Sequence, residues 1–257
     1  MNKEEISIGI LDVYSSADLT NCFNSIPDEF KNQKNLLVVS DTKNKNDIDY
    51  PVTKIGTGIQ MASLRNWILG QFRSNGIKHI FLINSNQIIK NSNLFEDVIT
   101  KAEIFGTWFM SGPEKIAVTL EDDKFKNSLT LSTSLNSDFI YIYSGIINNI
   151  GYFDEKYFNT KELDVVDYII KMREKKIYPP NHFYPMISDG VESSSSKIEK
   201  NNYIETLSND KSVQMSYGYF FFKNKYIPKQ NEPAAVSQEE LINFMEEIQK
   251  NYGKKFE

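Results

Sequence analysis

Residues 80–83 read Ile-Phe-Leu-Ile and stop abruptly on a polar triplet, Asn84-Ser85-Asn86. A short apolar run bounded in this way is expected to be a buried strand. Ile6–Leu11 and Leu36–Ser40 read as two earlier strands, the second ending on Asp41. Helical spacing marks the segments between and after them. Leu19, Cys22, Phe23 and Ile26 share one face, with Ser15-Ser16 as the expected cap and Pro27 as the stop. Met61, Leu64, Ile68 and Phe72 share another, ending at Gly76. Leu94, Val98 and Ala102 form a third, with Asn93 and Glu96 at capping-box spacing. Alternation of this kind predicts an α/β fold with a mostly parallel central sheet flanked by helices. Open sheets bind ligands just past the carboxyl ends of their strands, so the triplet is expected at a binding edge.

The second half is less regular. Phe139–Tyr143 is expected to be a strand, Gly151–Glu155 a turn and Asp164–Lys176 a helix. Residues 188–202 read as a mobile loop and Tyr217–Phe222 as a short aromatic strand. Thr42–Asp49 reads as a polar loop. Ser237 and Glu240 open a last helix with Leu241, Phe244, Met245 and Ile248 on one face, closed by Gly253. With no internal repeat and no clear linker, a single domain over residues 1–257 is expected.

Several function classes are disfavoured by composition. The 40% hydrophobic and 13% aromatic content argues against a disordered chain. A net charge of −5 weighs against a general nucleic-acid coat, although a local basic patch is compatible with it. The single cysteine, Cys22, rules out an internal disulfide framework or a multi-cysteine metal site, and it is expected in the core. No apolar run approaches the ~20 residues of a membrane span. The N-terminus lacks a signal-peptide apolar region, so a soluble, cytoplasmic protein is expected. Gly56-Thr57-Gly58 is expected to be a turn rather than a dinucleotide loop, because its third glycine would fall at Met61. Of the two histidines, His79 at a strand start is expected to be structural; His182 follows Pro179-Pro180-Asn181.

The chain resembles the family 2 glycosyltransferases, which have the GT-A fold. Ile6 to Ile26 is similar to the family's opening strand and helix. Leu36–Asp41 resembles its second strand with a nucleotide-contacting aspartate. Ala62-Ser63-Leu64-Arg65-Asn66 resembles the Ala-Arg-Asn helix, and Ile80–Ile88 the metal-binding strand end. Gly151-Tyr152-Phe153-Asp154-Glu155 is similar to the Gly-x-Phe-Asp-Glu turn. Asp164-Val165-Val166-Asp167, with Arg173 beyond, resembles the acidic Glu-Asp-x-Asp helix start. His182 lies near the family's late histidine, and Lys223 to Tyr226 near its Lys-Trp-Gly segment. The departures are Leu11 for a proline, Tyr14 for an asparagine, Asn84-Ser85-Asn86 for Asp-x-Asp, and Val165 for the aspartate of the acidic pair.

The resemblance implies a GT-A-like, Rossmann-like fold. Residues 1–112 would be the nucleotide-sugar-binding half, 113–230 a smaller, irregular acceptor half and 231–257 a terminal helix. It implies a hexosyl- or pentosyltransferase, inverting, that moves sugar from a nucleotide-diphosphate donor to a hydroxyl. The acceptor would be a glycan, a protein or a modified base in viral DNA. Leu11, Asp12, Tyr14, Asp41, Arg65, Asn84, Ser85 and Asn86 are the expected donor-binding residues. Asn86 and His182 are the expected ligands of any Mn or Mg. Neutral amides ligate such ions only weakly, so the metal is expected to be weakly bound or absent. Cationic side chains would then meet the phosphates. Arg65, expected here to have no acid to neutralise, is the leading candidate, with Lys54, Lys90, Lys197 and Lys200 assisting. Asp164 is the first candidate for general base, then Asp167, then Glu162. The alternative is a catalytically inactive relative kept as a binding or structural module, because fold does not imply function.

Overall fold

The computed structural model describes residues 3–12, 16–41, 48–56, 60–112, 116–122, 127–132, 135–157, 163–178, 184–187, 190–194, 211–225 and 243. Among the described residues there are eleven strands: β1 (Ile6–Asp12), β2 (Leu36–Asp41), β3 (Val52–Ile55), β4 (His79–Asn84), β5 (Gln87–Ile89), β6 (Phe109–Ser111), β7 (Ile116–Asp122), β8 (Asn127–Ser132), β9 (Phe139–Tyr143), β10 (Tyr184–Met186) and β11 (Val191–Ser193). The helices are α1 (Ser16–Ser25), α2 (Met61–Ser74), α3 (Leu94–Phe105), α4 (Ser144–Ile150), α5 (Leu163–Glu174) and α6 (Lys211–Asn224).

Nine strands form one sheet in the order β3-β2-β1-β4-β9-β6-β10-β8-β7. Only β9 and β8 run against the other seven. From β1 the chain builds outward through β2 to β3, then returns to lay β4 on the other side of β1. The strand order therefore reverses between β1 and β4, and a crevice opens at such a switch point.

Every residue of β1 and β4 is buried, because helices cover both faces. On one face the Phe81 ring meets Phe95 of α3 with centroids 4.8 Å apart. On the other, Gly9 lets α2 approach; a Cβ there would sit 2.7 Å from the Ile68 side chain. Gly106 closes α3 in the left-handed conformation, with φ +66. Among the described residues, no helix is long and apolar enough to cross a membrane.

Three sequence expectations need correction. Tyr217–Phe222 is not a strand but lies within α6. Ser216 and Phe220, one helical turn apart, are buried together, while Phe221 and Phe222 face outward; an unbroken aromatic run hides this 3.6-residue period. Within the expected loop at 188–202, Val191–Ser193 pairs antiparallel with β5. Asn93 caps α3 without a side-chain hydrogen bond, so the capping box does not form. β3 was not foreseen; its half-buried residues pair with β2 at the sheet edge. Ser15 and the terminal segment at 237–253 lie outside the described residues, apart from Asn243, which is helical and exposed.

Cys22 is buried, as expected. His79 is structural, its Nδ1 3.0 Å from the Tyr141 hydroxyl. Burial disfavours the charged imidazole; Glu5 opposes and Lys78 reinforces this, and the pKa falls from 6.5 to about 4. The folded chain thus holds His79 neutral where the unfolded chain would protonate it. Its contribution to stability is complete above pH 6.5 and is lost as the pH falls toward 4. His79→Gln is expected to flatten the stability profile across that interval, as read from urea midpoints; an unchanged slope would refute the assignment.

Candidate functional site

The carboxyl ends of β2, β1 and β4, with the residues that lead into β9, carry one connected row of polar groups. Asp12 ends β1 fully buried, and its Oδ2 accepts from Ser40 Oγ of β2 at 2.6 Å. The Leu11 carbonyl accepts from the Ser85 N–H at 3.0 Å, which fixes the turn after β4 against β1. The Asn84 N–H donates to the Asp138 carbonyl at 2.7 Å. Asn84 Nδ2 donates to Asp138 Oδ1 at 2.5 Å, and Asn86 Nδ2 lies 3.4 Å from Oδ2 of the same carboxylate. Gln87 Nε2 donates to Asn86 Oδ1 at 3.0 Å. Ser194, next to β11, donates its N–H and hydroxyl to the Asn86 carbonyl at 2.7 and 3.1 Å.

Asp138 did not emerge from the sequence as a site residue. Its only signal was an acid immediately before a strong strand. The antiparallel pairing of β9 with β4 brings it beside the amide triplet, and such long-range pairing cannot be read from local pattern. One carboxylate thus stands next to both amides of the triplet.

The three motifs at Ala62–Asn66, Gly151–Glu155 and Asp164 also converge. Asn66 Oδ1 accepts from the Phe153 N–H at 2.9 Å, while its Nδ2 donates to the Phe153 carbonyl and to Glu155 at 2.9 and 2.8 Å. Arg65, projecting from α2, donates to Asp164 Oδ2 at 2.5 Å and to the Ser137 carbonyl at 3.3 Å. Side-chain exposure is 0% for Arg65 and 1% for Asp164. The expectation that Arg65 has no acid to neutralise is therefore overturned: α5 supplies one from its first turn. Burial pushes the Asp164 carboxyl up, against the pull of Arg65 and of backbone N–H groups. Arg65 Nε and Asp164 Oδ1 are buried without a hydrogen-bond partner, so a single charged contact joins the two side chains.

Asp167, one turn further along α5, is likewise buried. It faces Lys223 of α6 at 2.7 Å and Lys171 at 3.2 Å, and accepts from the Tyr157 hydroxyl at 2.9 Å. Lys223 also reaches Asp154 at 2.9 Å. Burial alone would raise the Asp154 pKa, but the bonds from Lys223, the Lys156 N–H and Tyr219 outweigh it and hold the group at about 2.

Lys90 pairs with Glu192 at 2.8 Å, and Lys54 lies exposed on β3. Asp41 ends β2 beside the polar row, without a described side chain. Tyr14, Glu162, His182, Lys197 and Lys200 lie outside the described residues.

The donor set at the strand end decides whether a divalent ion fits there. Asn84 Oδ1 and Ser85 Oγ are buried and without a hydrogen-bond partner, but both are neutral. The neighbouring Asp138 carboxylate already accepts from amide groups. Among the described residues, no three His, Cys, Asp or Glu side chains gather in a metal-binding group. Mn²⁺ and Mg²⁺ favour charged oxygen ligands, and the described residues do not fit a resident ion of that kind.

No family model matches the chain, and no curated protein sequence matches it. Solved structures do. GalNAc-T7, solved with UDP, GalNAc and Mn2+, aligns over 98% of this chain and 58% of its own, with a TM-score of 0.51 and 10% identity. The mannosyltransferase PcManGT from Pyrobaculum calidifontis, in complex with GDP-Man and Mn2+, aligns over 95% of this chain and 69% of its own, with a TM-score of 0.48 and 8% identity. S. aureus TarS 1-349 in complex with UDP aligns over 86% of this chain and 72% of its own, with a TM-score of 0.42 and 13% identity. The likeness to GalNAc-T7, together with the mostly parallel sheet and its flanking helices, shows a GT-A-like α/β fold.

Proposed function

We propose that this chain is a glycosyltransferase that moves a sugar from a nucleotide-diphosphate donor to a hydroxyl acceptor. The observation that carries the reading is the polar row of Asp12, Asn84, Ser85, Asn86 and Asp138 at the switch point between β1 and β4, where sheets of this type bind ligands. In this reading Leu11, Asp12, Tyr14 and Asp41 receive the nucleoside. Asn84, Ser85 and Asn86 face the diphosphate and sugar. The acceptor oxygen forms a bond to the anomeric carbon as the bond to the diphosphate breaks. The acceptor proton passes to a base, and the nucleoside diphosphate leaves. Direct displacement inverts the anomeric centre. No step is assigned to a metal, because the described donor set does not fit one. The same fold and site support the broader assignment to nucleotide-sugar binding.

A donor at a hundred times its Kd stabilises a protein by about 2.7 kcal/mol, a rise in Tm of roughly 5–10 °C for a chain of this size. A thermal-shift panel of UDP- and GDP-sugars is expected to contain one such donor, with the rise persisting in EDTA. If no donor raises Tm, the reading is wrong. If the rise vanishes in EDTA, the metal-independent part of it fails.

A second reading, a catalytically inactive module that still binds nucleotide sugar, is favoured by one observation. Both leading candidates for the base, Asp164 and Asp167, are buried in ion pairs. A base must come within hydrogen-bond reach of the acceptor proton, so Asp164 acts only if its contact with Arg65 opens. Donor binding without transfer or hydrolysis on any acceptor would favour this second reading.

A further inference from the structure

The outward side of α6 is apolar and bordered by cations. Phe222 is 73% exposed, Met215 68% and Phe221 50%. At about 100° per residue, Met215 and Phe222 fall almost in line along the helix, with Phe221 to one side. The opposite side is committed to the fold: Ser216 and Phe220 are buried, and Lys223 pairs with Asp154 and Asp167. Two exposed lysines border the apolar side. Lys225 holds its Nζ 4.6 Å from the Phe222 ring centroid. Lys156 holds its Nζ 5.5 Å from the ring centroid of Tyr219, one helical turn from Met215. Residues 211–225 include Lys211, Lys223 and Lys225 and no acid, in a chain of net charge −5. The acids that reach this helix are engaged elsewhere: Asp154 with Lys223 and the Tyr219 hydroxyl, Asp167 with Lys223 and Lys171. Glu155, next to Lys156, accepts from Asn66.

Exposed apolar side chains gathered in this way mark an interaction site. An aromatic stripe bordered by lysines suits a helix that lies in a membrane surface. The rings enter the boundary between headgroups and acyl chains, and the lysine stems run along them with their ammonium groups among the headgroups. We propose that α6 docks this side flat on an anionic lipid surface, with Met215, Phe221 and Phe222 inserted and Lys225 and Lys156 at the level of the phosphates. The helix lies on the surface and does not cross it. Its 14 residues span about 21 Å, short of the ~30 Å of a hydrocarbon core.

Charge selects the occupant. A second copy meeting this side about a two-fold axis would set two cation-bordered faces together, with no acid of α6 to answer them. An anionic headgroup layer supplies the opposite charge, on the order of fivefold in affinity for each lysine near the surface. Insertion of the rings and attraction of the lysines act together, which gives reversible attachment. The buried Phe220 and the ties of Lys223 hold the helix from behind, so the rings are presented by a fixed element. Nothing in this docking depends on the ligand taken at the strand edge.

Flotation of the full chain with lipid vesicles tests the proposal. The chain is expected to float with equimolar phosphatidylcholine–phosphatidylglycerol vesicles, to stay behind with phosphatidylcholine alone, and to be released by salt. Phe221→Ser with Phe222→Ser is expected to lower binding by about tenfold or more, and Lys225→Gln by about fivefold. All three side chains are exposed, so these variants are expected to keep the unaltered urea midpoint. A second measurement needs no loss of binding. Phe222→Cys carrying an environment-sensitive dye is expected to be quenched by lipids brominated in their tails, whereas the same dye on Gln71→Cys, exposed on α2, is not; Cys22 is buried. Absence of flotation, equal flotation with both vesicle types, or equal quenching at the two labels would overturn the proposal. So would a concentration-dependent dimer that the serine pair disperses in the absence of vesicle binding, which would assign the face to a second copy.

Discussion

Arg65→Met is expected to destabilise the fold by about 3–5 kcal/mol, the usual loss when one partner of a buried ion pair is removed. The reason is local. Asp164 is sealed from water, and Arg65 is its charged partner at 2.5 Å. Without the guanidinium, the carboxyl must protonate or stay buried and uncompensated. Asp164→Asn is expected to have a loss of similar size, because it leaves Arg65 buried with an uncompensated charge. Replacing both, as Arg65→Met with Asp164→Leu, is expected to recover most of the loss, since a buried pair is often matched by apolar residues of similar volume. Urea unfolding of the four proteins tests this directly. If either single variant unfolds at the wild-type midpoint, the pair is not the structural joint described here. The double variant also separates the two functional readings. A double variant that is stable, binds donor and transfers sugar would remove Asp164 from the chemistry altogether.

Lys223→Met is expected to be the second most damaging change, at about 2–3 kcal/mol, below the full cost of breaking a buried pair because Lys223 is partly exposed. Lys223 is the meeting point of three elements. It bridges Asp167 on α5, Asp154 in the Gly151–Glu155 turn and its own helix α6. Burial opposes its charge, yet the two carboxylates outweigh that and raise its pKa. With methionine there, Asp167 keeps Lys171 at 3.2 Å and loses its shorter contact, and α6 loses its charged tie to α5. Unfolding midpoints give the energy, and limited proteolysis should cut before α6 sooner than in the unaltered chain. Equal midpoints and equal cleavage rates would show that apolar packing through Phe220 alone holds α6.

The network has a defined acid limit. Asp154 is held at about 2 in the fold against an ordinary 3.8. A group depressed in this way contributes its stability above its unfolded value and loses it as the pH falls through the folded one. The Lys223 bridge is therefore expected to persist down to pH 3.8 and to fail between there and about 2.

Much of the sheet was legible because burial leaves a local signature. β1, β2, β4 and β9 each lie in an apolar run, and α2 and α3 carry their core residues at helical spacing. The elements that were misread have weaker local patterns. α6 presents aromatic residues on both its buried and its outward faces, so neither period stands out. β3 and β11 are short and half-exposed, and only partner strands define them. In the candidate site, Asp12 and the amide triplet were legible as strand ends. Asp138 was not, because its position depends on β9 pairing antiparallel with β4 across more than fifty residues of chain.

The sequence by itself determined the alternation of strands and helices and the polar ends of β1 and β4, because burial and backbone period act over a few residues. It also determined that two amides, Asn84 and Asn86, stand where β4 ends. Only the tertiary structure decided which charges meet. It paired Arg65 with Asp164, gave Asp167 to Lys223 and set Asp138 beside Asn84. Electrostatics in a buried site depends on distances of a few ångströms between residues far apart in the chain, and those distances exist only once the sheet and helices have packed.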